Sequence, residues 1–187
     1  PLELSPQQVA AAIDRIGFGF MFAPAHHAAT RHVVPVRKAL ATRTAFNLLG
    51  PLTNPAGASR QVVGVSDRSA VATVADALAL LGAERALVVV SDAGLDEFDI
   101  SGTTTVHEVG RGQVTTWTVE PEDLGLQSAS LDSIAGGSPA KNAEVTRQVL
   151  AGAEGAARDI VVMNAAAAIL VSGDGDDLAA CARKAEE

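Results

Sequence analysis

Apolar positions recur along this chain with two different periods. Val9, Ile13 and Ile16 fall at helical spacing behind Ser5-Pro6-Gln7-Gln8. Ser5 can cap such a helix, Pro6 suits its first position, and Gln8 completes a capping box. Gly17 is placed to stop it. Residues 18–24 are apolar and rich in Gly and Pro, which predicts a short strand or a buried loop. Residues 25–40 predict one helix interrupted near Pro35, and 46–55 an ordered but irregular loop. Residues 60–65 then read as a strand. Val71, Val74, Leu78 and Leu81 share a face of a helix over 69–81, with Gly82 behind it. The near-continuous apolar run 85–91 is what a strand buried on both faces requires. Strand, helix and strand with short links predict a βαβ unit with parallel strands.

The second half alternates more. Residues 104–109 and 113–119 flank Gly110-Arg111-Gly112 and predict a hairpin. Residues 121–137 read as loop. An amphipathic helix follows over 141–150, started by Ser138-Pro139 or by Asn142. Residues 158–171 are rich in Ala and Val, show no polar face except Asn164, and predict a buried helix. Gly173-Asp174-Gly175 reads as the turn that ends it, and 176–187 as one more helix. Together these elements predict a single α/β domain over residues 1–187, with a mixed central sheet flanked by helices. The first residue is Pro1 rather than Met, and the last helix runs to the final residue. The chain is therefore expected to be a fragment of a longer protein.

Composition narrows the function. Of 187 residues, 48% are hydrophobic, mostly Ala and Val, and 3% are aromatic, which favours close helix–sheet packing. The net charge of −8 argues against nonspecific nucleic-acid binding, which depends on neutralising phosphates. It leaves room for an anionic small substrate, because a local site can invert the overall sign. One cysteine, Cys181, cannot form an internal disulfide and reads as inert. No stretch approaches the roughly 18 uninterrupted apolar residues of a membrane span, and no signal peptide is visible. No membrane partner is expected, and the expected location is the cytoplasm.

Three features could carry chemistry. Asp96-Glu97 follows the apolar strand by a short turn, where open α/β sheets bind ligands. Paired carboxylates suit Mg²⁺, which is held by one or two of them plus substrate phosphates; the alternative is a solvated acidic turn. His26, His27, Arg31, His32, Arg37, Lys38 and Arg43 form a basic cluster. It could hold a carboxylate or phosphate, or be a solvated basic face. The adjacent histidines make a weak zinc site, because neighbours on a helix do not face one way. The Gly- and Pro-rich loop 47–55 could wall a pocket for a flat ligand, or be structural.

Longer stretches carry a resemblance. They are 17–27 (Gly-Phe-Gly-Phe-Met-Phe-Ala-Pro-Ala-His-His) with Arg31-His32-Val33-Val34-Pro35-Val36-Arg37, and 43–55 (Arg-Thr-Ala-Phe-Asn-Leu-Leu-Gly-Pro-Leu-Thr-Asn-Pro). The third is Gly94-Leu95-Asp96-Glu97 with Ser101-Gly102-Thr103, and weaker matches include Asn164-Ala165-Ala166-Ala167-Ala168. Over nearly its whole length the chain resembles anthranilate phosphoribosyltransferase. The resemblance implies the large domain of the nucleoside phosphorylase/phosphoribosyltransferase-like fold, with the N-terminal helical lobe missing. It implies transfer of a phosphoribosyl group from phosphoribosyl pyrophosphate to anthranilate, in tryptophan biosynthesis, by a cytoplasmic homodimer. It makes Asp96 and Glu97 the Mg²⁺ ligands, Arg37 the partner of the anthranilate carboxylate, and His27 and Pro51, with Gly50 beside them, the lining of the anthranilate site. The family's glycine-rich pyrophosphate loop and Lys-His-Gly-Asn segment do not occur in this sequence, so the stretch alone is expected to be inactive. The family often has an aromatic residue where His26 stands. Asp99 takes the place of a small polar residue and receives no role. Two competing functions are a pyrimidine nucleoside phosphorylase-like enzyme, which needs no acidic metal pair, and a non-catalytic binder of aromatic acids.

Overall fold

A computed structural model describes residues 3–26, 39, 42 and 46–187. The chain divides into two compact units, residues 1–57 and 58–187.

In the first unit, helix α1 spans Pro6–Ile16. Ser5 Oγ accepts from the Gln8 backbone N–H and Gln8 Oε1 accepts from the Ser5 N–H, so both halves of the expected capping box form. Gly17 ends the helix in the left-handed region at φ 72°. Of the apolar face, Val9 is buried, whereas Ile13 and Ile16 are 45% and 73% exposed. Gly19 lies against that face: a Cβ there would come within 2.8 Å of both Val9 and Ile13. The expected strand or buried loop at 18–24 is instead an open segment leading into a short helix α2, Ala23–His26, with Phe18 and Phe20 exposed. The expected irregular loop at 46–55 is also partly helical. Helix α3 spans Phe46–Leu52 and contains Pro51. Proline removes one backbone donor near the helix end, and Thr53 closes that end by donating through Oγ1 to the Leu49 carbonyl at 2.7 Å. Most of the predicted helix 25–40 lies outside the described residues.

The second unit holds the sheet. β1 (Arg60–Gly64) is parallel to β2 (Arg85–Ser91), and they are joined through a 3₁₀ turn and helix α4, Val71–Leu80. β3 (Thr104–Gly110) and β4 (Gln113–Val119) add antiparallel neighbours, giving the order β1-β2-β3-β4. The βαβ unit and the hairpin are therefore where the hydrophobic pattern put them. Helices α5 (Pro139–Leu150), α6 (Ala156–Ser172) and α7 (Leu178–Ala185) follow. Leu87 and Val89 of β2 pack with Met163, Ala166 and Ala167 of α6. The alternate residues Ala86, Val88 and Val90 are equally buried on the other face, where α4 lies. Two strand-starting arginines hold the C-terminus of α6. Arg60 Nη1 donates to the Val171 and Ser172 carbonyls at 2.9 and 2.8 Å, and Arg85 Nη1 to Leu170 at 2.7 Å. These are carbonyls that a helix end leaves without partners, and a cation there suits the helix dipole. No helix among the described residues is long and apolar enough to cross a membrane.

Candidate functional site

The acidic pair sits at the carboxyl ends of the two parallel strands. Strand β2 ends at Ser91, and the chain turns tightly back on that residue. The Ser91 N–H donates to the Leu95 carbonyl, and Ser91 Oγ accepts from the Leu95 N–H, both at 3.0 Å. Asp96 and Glu97 come next. Gly64, the last residue of β1, lies so close to Asp96 that a Cβ on it would be 1.6 Å from the Asp96 carbonyl oxygen. Only glycine permits that approach. Asn164 of α6 grips the residue that follows the pair. Its Oδ1 accepts from the Phe98 N–H and its Nδ2 donates to the Phe98 carbonyl, both at 3.0 Å.

The two carboxylates are exposed and make no hydrogen bond or ion pair among the described residues. Loss of surrounding water pushes the Glu97 carboxyl above its ordinary value, and the charges of Asp96 and Asp99 push it further. A divalent cation would relieve this like-charge crowding, so the pair fits Mg²⁺. No group of three or more His, Cys, Asp or Glu side chains able to hold a metal forms among the described residues. A cation here would take the pair from the protein and other oxygens from ligand or water, as Mg²⁺ commonly does. Asp99, which local chemistry left without a role, is 1% exposed. Its N–H donates to Thr104 Oγ1 at 3.0 Å and its Oδ1 accepts from the Ser101 N–H at 2.7 Å, while Oδ2 has no partner among the described residues. Arg68 pairs with Asp92 in the preceding turn.

In the first unit, Gly50 and Pro51 of α3 line a cavity of about 180 Å³ with Met21, Ala23, His26, Asn54 and Pro55. His26 Nε2 is buried there without a partner among the described residues. His27 and Arg37 lie outside the described residues.

The family model described as "Glycosyl transferase family, a/b domain" matches residues 1–187. The chain belongs to that family. An anthranilate phosphoribosyltransferase of Rubrobacter xylanophilus is 52% identical over 186 residues, which is 99% of this chain and 54% of the relative. The crystal structure of anthranilate phosphoribosyltransferase from Thermus thermophilus superposes with a TM-score of 0.91 at 43% identity, covering all of this chain and 55% of that one. The Saccharomyces cerevisiae enzyme in complex with PRPP and Mg superposes at 0.88 with 30% identity, covering 100% of this chain and 54% of that one. The chain thus spans about half the length of the relatives it matches. The mixed sheet flanked by helices is the fold they share.

The sequence singled out Asp96, Glu97, Gly50 and Pro51 in places the structure makes accessible. Gly64 and Asn164 escaped it. Gly64 is one of 17 glycines, and its close approach exists only once two strands are paired. Asn164 did carry a signal, as a polar residue inside the apolar run 160–171, but nothing along the chain said what it would touch.

Proposed function

We propose that this chain supplies the α/β part of an anthranilate phosphoribosyltransferase, an enzyme that converts phosphoribosyl pyrophosphate and anthranilate to N-(5-phosphoribosyl)anthranilate and pyrophosphate in tryptophan biosynthesis. The observation that carries this reading is the unpartnered Asp96–Glu97 pair at the ends of β1 and β2, in a chain so similar to proteins of that name. Bound at the pair, Mg²⁺ supplies positive charge against the leaving pyrophosphate. The protein's own part is to place the two carboxylates, hold the ring and keep water away from an oxocarbenium-like transition state. By resemblance to the family, His27 and Pro51 are assigned to the lining of the ring's site with Gly50 beside them, and Arg37 to the anthranilate carboxylate as a bidentate cation. No covalent nucleophile is needed. The enzyme works as a cytoplasmic homodimer, and residues 1–187 alone do not turn over, because the family's glycine-rich loop is not among them.

The test is product formation by the whole protein from anthranilate, phosphoribosyl pyrophosphate and Mg²⁺, compared with Asp96→Asn/Glu97→Gln. The expected result is Mg²⁺-dependent turnover that the double variant loses or shifts to much higher Mg²⁺. Phosphorolysis of pyrimidine nucleosides, or anthranilate binding without product, would replace the reading. Turnover by residues 1–187 alone would remove the claim of inactivity.

A further inference from the structure

We infer that Asn164 is a positioning residue for the acidic pair, with Gly64 as its counterpart at the other end of the pair; this rests on the metal role of Asp96 and Glu97 proposed above.

The geometry is specific. A primary amide carries one acceptor and two donors in a plane, which mimics a peptide group of a neighbouring strand. Asn164 uses Oδ1 for the Phe98 N–H and Nδ2 for the Phe98 carbonyl, the same residue in both directions, at 3.0 Å each. Its Nδ2 also donates to the Ile160 carbonyl one helical turn earlier at 2.9 Å, which fixes the amide's own rotation. The side chain therefore ties the backbone immediately after Glu97 to the rigid helix α6. Phe98 itself is fully buried in the core that α6 builds. At the start of the pair, the backbone of β1 at Gly64 packs directly against the Asp96 carbonyl, with no room even for a Cβ. The pair is thus held in a two-residue bridge, clamped at one end by an amide and backed at the other by a strand. Neither device touches the carboxylates. Exposed carboxylates on a free loop would lose entropy on gathering around a cation, and fixing the backbone beforehand lowers that cost.

The experiment measures Mn²⁺ binding to the full-length protein by water-proton relaxation, beside the Mg²⁺ requirement and the anthranilate KM of turnover. Asn164→Leu keeps most of the volume and removes both bonds to Phe98. It is expected to weaken Mn²⁺ about 10-fold, the lower end for an outer contact of a metal ligand. The Mg²⁺ requirement should rise in parallel while the anthranilate KM stays put. Gly64→Ala should weaken Mn²⁺ likewise, by displacing the Asp96 backbone. Leu170→Ala, on the same helix but away from the turn, should lower stability and leave Mn²⁺ affinity unchanged. If folded Asn164→Leu and Gly64→Ala both bind Mn²⁺ as the parent does, the inference is wrong. It is equally wrong if Leu170→Ala weakens Mn²⁺ as much, for then loss of stability alone explains the effect. Should Asn164→Leu not fold, amide exchange in the parent decides: Phe98 N–H must be protected, and exchange as fast as that of exposed turn amides overturns the clamp. Asp96→Asn/Glu97→Gln separates the two layers. Unchanged Mn²⁺ binding in that variant removes the metal reading and this inference together; lost binding there with intact binding in Asn164→Leu and Gly64→Ala removes the inference alone.

Discussion

Glu97 is a carboxylate whose charge costs the fold stability. Its folded-state proton affinity is raised by loss of water and by Asp96 and Asp99. Between its ordinary value and that raised one, the folded protein binds more protons than the unfolded chain. Stability therefore falls as pH rises through that window, and the deficit persists above it. Glu97→Gln should raise the urea midpoint at pH about 7 and leave it nearly unchanged at pH about 4, close to the ordinary glutamate value. An equal midpoint for parent and variant at neutral pH would remove the crowding argument. Arg37 allows a second test at this scale. Arg37→Ala should raise the anthranilate requirement far more than that for phosphoribosyl pyrophosphate, because a guanidinium fork recognises a carboxylate bidentately. Steady-state kinetics that moved both substrates equally would withdraw its assignment.

Among the elements, α6 does the most. It closes one face of the sheet, accepts two arginines at its C-terminus and sends Asn164 to the acidic turn. Arg85 joins it to β2 and also pairs with Glu108 of β3 through Nε at 2.9 Å. Arg85→Ala leaves the Leu170 carbonyl and Glu108 without that cation, at a cost of about 2 kcal/mol for charge-assisted bonds in a partly covered setting. Chemical denaturation checks this, and a change near zero would mean that water replaces the guanidinium freely. Most of these elements were legible beforehand because their signals are local. Ser5, Pro6 and Gln8 mark one helix start, the run 85–91 marks a covered strand, and Gly110-Arg111-Gly112 marks a hairpin. The exceptions share a cause. Gly50 and Pro51 are helix breakers by intrinsic preference, yet α3 passes through both. Phe18 and Phe20 are apolar, yet exposed. Propensity and hydropathy are weak priors where a short segment has few partners of its own.

The two units differ in how much core they own. The main cluster, from Leu87 and Val89 through Phe98 and Ile100 to Met163, Leu170 and Cys181, lies wholly within residues 58–187. Among the described residues of the first unit, Val9 is the buried hydrophobic one. Small units bury too little surface to stand alone. Residues 58–187 expressed by themselves should unfold cooperatively in urea, and residues 1–57 by themselves should show no cooperative transition by circular dichroism. A gradual, featureless melt of 58–187 would contradict the core assignment.

Residue order along the chain was enough for the strands and long helices of residues 58–187, for the family resemblance, and for placing Asp96-Glu97 just past a covered strand. Caps, turns and period-2 or period-3.6 apolar spacing act between near neighbours, so they can be read one window at a time. Contacts across 30 to 70 positions cannot. Gly64 against Asp96, the Asn164 amide around Phe98, and the buried Asp99 oxygen exist only because β1, β2 and α6 pack around one turn. Which atoms meet there depends on strand register and helix rotation, and those are settled by packing of the whole core rather than by any local preference.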